Sequence, residues 1–122
     1  MNAALALRFT LLLWLGSLFA LFGVERWLLE PLASFAATAI VFVVQTAPIV
    51  AAAWLSIRAP ARGGFWSALA ALVYFAHGVA RCAAPTERLS GAIEIALALG
   101  VFATALLLLR ALPARGDARE DR

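Results

Sequence analysis

Residues 65–109 read FWSALAALVYFAHGVARCAAPTERLSGAIEIALALGVFATALLLL. Two apolar runs flank one short polar turn, Ala83-Ala84-Pro85-Thr86-Glu87-Arg88. The pattern predicts two helices folded back on each other. Most chemically interesting side chains lie in this stretch: Tyr74, His77, Arg81, Glu87 and Glu94. His77 precedes the centre of the turn by about as many residues as Glu94 follows it. Each helical residue rises about 1.5 Å, so the two should share one depth, roughly 12 Å from the turn.

Composition says what surrounds the hairpin. Of the 122 residues, 65% are hydrophobic and 14% charged. Soluble domains carry about 25% charged residues. A chain this short has too high a surface-to-volume ratio to hide that much apolar surface from water. Lipid is its natural solvent. The net charge of +3 comes from arginine, since the sequence has no lysine. These arginines flank apolar runs instead of forming a patch interleaved with aromatics, which argues against nucleic acid. Cys82 is the one cysteine, so an internal disulfide and a cysteine metal cluster are excluded. It should face the outer side as a free thiol, with an intermolecular disulfide as the alternative.

Outward from the hairpin, the first apolar run spans about Ala3 to Val24. It lacks a clean small-x-small cleavage site and reads as an uncleaved helix with Arg8 snorkelling to the interface. The stretch from Glu25 to Pro31 reads as a connection, with Pro31 opening the next helix. The second run, Leu32 to Ile57, exceeds the 20 or so residues that a span needs. Pro48 gives it a reason to bend, and Gln45 and Thr46 could satisfy the backbone groups it frees. Arg58-Ala59-Pro60-Ala61-Arg62-Gly63-Gly64 reads as a loop. The third run, Phe65 to Arg81, is short for a span; the fourth, Leu89 to Leu109, is comfortable.

Four crossings put both termini on one side. Arg8, Arg58, Arg62, Arg110, Arg115, Arg119 and Arg122 share that side, and Arg26, Arg81 and Arg88 share the other. Seven against three places the termini in the cytoplasm by the positive-inside rule. Trp27, Trp54 and Trp66 fall near helix ends, as interfacial tryptophans do. Helices in lipid associate through close packing, because lipid is as apolar as leucine. On the fourth helix, Ala92, Ala96, Gly100 and Thr104 form one smooth face, and Gly91, Glu94 and Ala98 another. One should meet the third helix, and the other the second helix or a second copy of the chain.

The run Gly64-Phe65-Trp66-Ser67-Ala68-Leu69, then Tyr74-Phe75-Ala76-His77-Gly78-Val79, Pro85-Thr86-Glu87-Arg88 and Ala92-Ile93-Glu94-Ile95 resembles a known family. It is a family of small, predicted inner-membrane proteins of proteobacteria, the domain-of-unknown-function family numbered two-zero-six-nine. There a Tyr-Phe-x-His-Gly-Val motif precedes a turn ending in Glu-Arg and a helix with Glu in its first turns. The sequence departs at Arg81-Cys82, where the family more often carries an acidic or small residue. That gives Arg81 a lesser place. The resemblance supports the four-span topology and brings no activity with it.

Tyr74, His77 and Arg81 stand three and four residues apart and share a helix face, as do Glu87, Gly91 and Glu94. If the faces meet, His77 can pair with Glu94. An acid–base pair within a membrane is a functional candidate. Weighed against this is a purely structural role, a polar bond pinning the hairpin. Gly78 should admit a neighbouring helix, Tyr74 is more often a packing aromatic, and Gln45 more often a packing amide. The candidate intramembrane cluster is therefore Tyr74, His77, Gly78 and Glu94, with Gln45, Arg81 and Glu87 as weaker members. One histidine and one glutamate are too few for a usual zinc site, and no cofactor or metal is expected. Gly63-Gly64 lacks the P-loop lysine, and the aspartates lie in the tail, away from any serine–histidine pair.

The expectation is an all-α integral membrane protein of the bacterial inner membrane. Residues 1–109 would form an up-down antiparallel bundle of helices about 3–24, 32–57, 65–81 and 89–109, and 110–122 a polar, mobile cytoplasmic tail. The leading functional reading is a non-enzymatic accessory or packing subunit, in a homodimer or beside a larger membrane partner. The alternative is a small dimeric proton-coupled transporter using the His77–Glu94 pair.

Overall fold

The computed structural model describes residues 3–29 and 33–112. Helix α1 spans Ala3–Val24 and continues into a π-helical turn, Glu25–Leu29. Helix α2 spans Phe35–Arg58, α3 Pro60–Cys82 and α4 Arg88–Ala111, with a 3₁₀ turn at Pro85–Glu87 before α4. All four are long and apolar enough to cross a bilayer. No strand occurs among the described residues.

The helices run up and down in a ring. α1 lies against α2 and α4, and α3 closes the ring between them. The α3–α4 interface is the most extensive. Arg8 Nη2 donates to the Ile57 carbonyl at 3.0 Å, fixing the start of α1 beside the end of α2. The buried positions of α1 are Leu11, Leu15, Leu18 and Phe22; those of α4 include Gly91, Glu94, Ala98, Val101, Ala105 and Leu108. On α3 the run Ser67, Ala71, Tyr74, Gly78, Arg81 is buried. All three alternate steps of three and four, the spacing that keeps one seam facing a left-handed bundle interior.

Three boundaries differ from the sequence reading, each for a local reason. Residues 58–64 are not a loop. Only Ala59, at φ −144° and ψ 87°, separates α2 from α3. Pro60 opens α3, where its missing N–H costs nothing, and it disfavours helix at Ala59 before it. Gly63 and Gly64 lie within α3 because neighbours press on it. A Cβ at Gly63 would collide with the backbone of Ser56, and one at Gly64 would stand 3.0 Å from Leu109. The third span is thus full length. Second, the connection after Val24 stays helical through Leu29. Third, α2 begins at Phe35, capped by Ser34, whose Oγ accepts from the Ala37 N–H at 3.0 Å. The readings of Pro31 and of the tail beyond Leu112 lie outside the described residues.

Small residues set the close contacts. Gly78 and Gly91 bring α3 and α4 together: a Cβ on Gly91 would sit 2.8 Å from the Gly78 carbonyl oxygen. Gly100 lies under the Trp14 ring of α1. The face of α4 that carries Ala92, Ala96, Gly100 and Thr104 therefore meets α1 at Gly100 rather than the second helix. Thr104 is buried, while Ala92 and Ala96 remain exposed.

Candidate functional site

The seams carry their charged residues at one end of the bundle, where α1 and α3 finish and α4 begins. Glu25 follows Leu11, Leu15, Leu18 and Phe22 in the same stepping, so the π-turn delivers it inward, and it is 6% exposed. Arg81 closes the α3 seam at 9% exposed. Glu94 lies in the second turn of α4 and is wholly buried.

Arg81 is the centre of this group. Its Nη1 donates to Glu94 Oε1 at 2.9 Å and to Glu25 Oε1 at 3.1 Å, and its Nη2 donates to Glu25 Oε2. The half-exposed Glu87 brings Oε1 to 3.5 Å from Arg81 Nε. The other Glu94 oxygen, Oε2, lies 2.7 Å from His77 Nδ1. Both oxygens of Glu94 are thus occupied. A buried carboxylate is tolerated only when paired and hydrogen-bonded, and here the partners come from α3. One guanidinium thus faces three carboxylates, and Arg26 lines the same cavity.

His77 stands one position off the buried seam, beside Gly78. Its side chain is 44% exposed while its partner Glu94 is 0% exposed. It reaches the buried carboxylate from the rim of the α3–α4 interface. The missing side chain at Gly78 lets α4 come that close. Phe22 packs beside His77, with ring centroids 6.2 Å apart.

Tyr74 shares the face but not the bonding. Its hydroxyl donates to the Gln45 backbone carbonyl at 2.5 Å, and its ring lies 5.4 Å from Phe22. Gln45 is three residues before Pro48, where the helical ladder is interrupted. The missing N–H of Pro48 frees the Val44 carbonyl, so the phenol of α3 bonds the carbonyl next to it in sequence, and Thr46 Oγ1 donates to the Phe42 carbonyl. The Gln45 amide contributes otherwise. With Glu25, Arg26, His77, Arg81 and Glu87 it lines a polar cavity of about 140 Å³, and its buried Oε1 has no hydrogen-bond partner among the described residues.

The arrangement joins His77 to Glu94 and gathers Arg81 and Glu87 with them. It assigns Tyr74 to a separate backbone contact and Gly78 to helix approach. Arg81, given a lesser place on the family pattern, is the hub. Glu25 was missed altogether, because it follows the apolar run and precedes Arg26 like a loop residue. The signal was present in the stepping from Leu11 to Phe22, which reaches Glu25 next. Among the described residues, no group of three or more histidines, cysteines, aspartates and glutamates is placed to hold a metal ion. Cys82 is a half-buried free thiol whose Sγ lies 3.7 Å from the Arg88 carbonyl oxygen.

Four apolar spans closed at one end by a buried ion-pair cluster define a small integral membrane protein. The chain belongs to the family described as "Predicted membrane protein (DUF2069)", whose model matches residues 6–112. Comparison with curated proteins found no match, and comparison with solved structures found none.

Proposed function

We propose that this is a non-enzymatic accessory or packing subunit of the bacterial inner membrane, with both termini in the cytoplasm. One observation carries the reading: the charged groups of the interior bind one another at one end of the bundle. Arg81 links α1, α3 and α4 through Glu25 and Glu94. From that cluster to the other end, the seam residues are Leu18, Leu15 and Leu11 of α1 and Ala98, Val101, Ala105 and Leu108 of α4. Thr46, Ser56, Ser67 and Thr104 are the buried polar residues beyond the cluster; none is charged, and Thr46 and Ser56 donate their hydroxyls to carbonyls of their own helix. An interior of this kind favours holding helices together over moving a solute between them. The orientation rests on charge: Arg8, Arg58, Arg62 and Arg110 lie at the end away from the cluster.

The test is cross-linking in native membranes followed by purification of the full chain. A reproducible second copy or larger partner is the expected result. A strict monomer that traps nothing overturns the assignment.

A specific contact favours a second reading, a dimeric proton-coupled transporter. His77 is half-exposed and bonds a wholly buried carboxylate, as a proton relay would require. Glu94→Gln and Glu94→Asp separate the two readings in vesicles. Transport predicts that Gln abolishes a pH-driven flux while the protein stays folded. Pinning predicts lost thermal stability and no flux in any variant.

A further inference from the structure

The end of the bundle away from the cluster has a different character. Every acidic side chain among the described residues, Glu25, Glu87 and Glu94, belongs to the α3–α4 turn end. The opposite end presents Arg8, Arg58, Arg62 and Arg110 with no described carboxylate to balance them. Arg8 is tied to the Ile57 carbonyl and Arg58 lies over the Trp54 ring, 4.8 Å from its centroid. Arg62 is exposed and makes no hydrogen bond or ion pair among the described residues.

Below Arg62 an apolar groove of about 400 Å³ runs between α2 and α3. Leu55 and Trp66 flank it near the turn, Ala51 and Ala70 line its middle, and Pro48 and Val73 mark its far end. Arg62, Trp66, Ala70 and Val73 follow one helix face in steps of three and four, so the cation heads the groove. From Leu55 to Pro48 the helix rises about 10 Å, reaching from the interface well into the hydrocarbon. Alanines leave the space, and the larger flanking side chains wall it.

We propose that this groove binds an anionic glycerophospholipid of the leaflet at the α2–α3 turn. One acyl chain lies along Ala51 and Ala70, Trp66 sits at the level of the glycerol, and Arg62 meets the phosphate. Charge complementarity selects the occupant. Arg8, Arg58 and Arg62, with no carboxylate beside them among the described residues, attract an anionic headgroup, whereas a zwitterionic lipid of equal chain length offers them its own cation. The guanidinium can also hold a phosphate through two parallel hydrogen bonds.

The test is native mass spectrometry of the full chain released from nanodiscs. The nanodiscs hold equal amounts of phosphatidylglycerol and phosphatidylcholine with identical acyl chains. The expected result is retention of phosphatidylglycerol over phosphatidylcholine. Arg62→Gln should lower that preference about fivefold, the effect of removing one interfacial cation. Ala51→Leu, an exposed position that fills the groove, should reduce retention of both lipids. Leu69→Trp serves the same purpose if Ala51→Leu fails to fold. Equal retention of the two lipids, or an unchanged preference in Arg62→Gln, overturns the proposal. So does undiminished retention in a folded groove-filled variant.

Discussion

The guanidinium of Arg81 donates to both carboxylate oxygens of Glu25, a residue 56 positions earlier in the chain. The same guanidinium bonds Glu94, so one side chain ties α1 to α3 and α3 to α4. Each of these groups would carry a desolvation penalty alone, and each relieves that of the others.

Arg81→Met should therefore leave the buried Glu25 without its guanidinium and the buried Glu94 with His77 alone. Breaking a buried pair from one side costs about 3–5 kcal/mol, and the adjacent polar cavity favours the lower part of that range. Thermal unfolding in detergent, followed by circular dichroism, should show a clear drop. Adding Glu25→Gln to Arg81→Met should recover part of it, since the two share one network. A single variant that melts with the wild type would contradict the pinning role.

Gly91 and Gly16 make a matched pair. A Cβ at Gly91 would stand 2.8 Å from the Gly78 carbonyl oxygen and 3.0 Å from the Cys82 amide nitrogen. Gly91→Ala must push α3 and α4 apart, at a cost of about 1–3 kcal/mol. A Cβ at Gly16 meets nothing within 4 Å. Gly16→Ala should be neutral or stabilising by up to about 1 kcal/mol through helix propensity. Reversal of that order in a melting experiment would show that the α3–α4 contact is looser than described.

Tyr74→Phe removes the hydroxyl that meets the Gln45 carbonyl and leaves the ring on Phe22. Hydrogen bonds between membrane helices contribute about 0.6 kcal/mol on average, with a maximum near 1.7 kcal/mol. The variant should lose no more than that and should keep any property that depends on His77 and Glu94. Loss of such a property in Tyr74→Phe would return the phenol to the polar cluster.

Orientation has a direct readout. With the arginine-rich end in the cytoplasm, alkaline phosphatase fused at Thr86 should be active and the same reporter fused after Leu112 inactive. A fluorescent protein that matures only in the cytoplasm should give the opposite pattern. Exchange of the two patterns would reverse the proposed sidedness.

Much of the architecture was legible in the chain. Four apolar runs, separated by polar or proline-bearing stretches, have one common solution in lipid. Backbone groups must be satisfied within each span, which leaves helices for runs of this length. The His77–Glu94 contact was also reachable, because equal distance from one turn means equal depth in a hairpin. Gly63 and Gly64 misled for a physical reason. Glycines shortly after a proline read as loop in water, yet in a bundle they are what lets helices touch.

Glu25 and Arg81 show the boundary most clearly. Their side chains lie at the last inward positions of their seams, but nothing in local composition separates inward from outward on a helix that lipid and core would both accept. Only size and stepping mark the interior, and the stepping becomes decisive once the partner helices are in place.

The sequence by itself determined four helices in a bilayer and an imidazole level with a carboxylate, because hydropathy and rise per residue are local properties. Tertiary structure alone decided that Arg81 is the hub, that Glu25 joins it, and that Gly100 faces Trp14. Those depend on how far each helix is rotated about its axis, and that rotation is set by contacts between segments far apart in the chain.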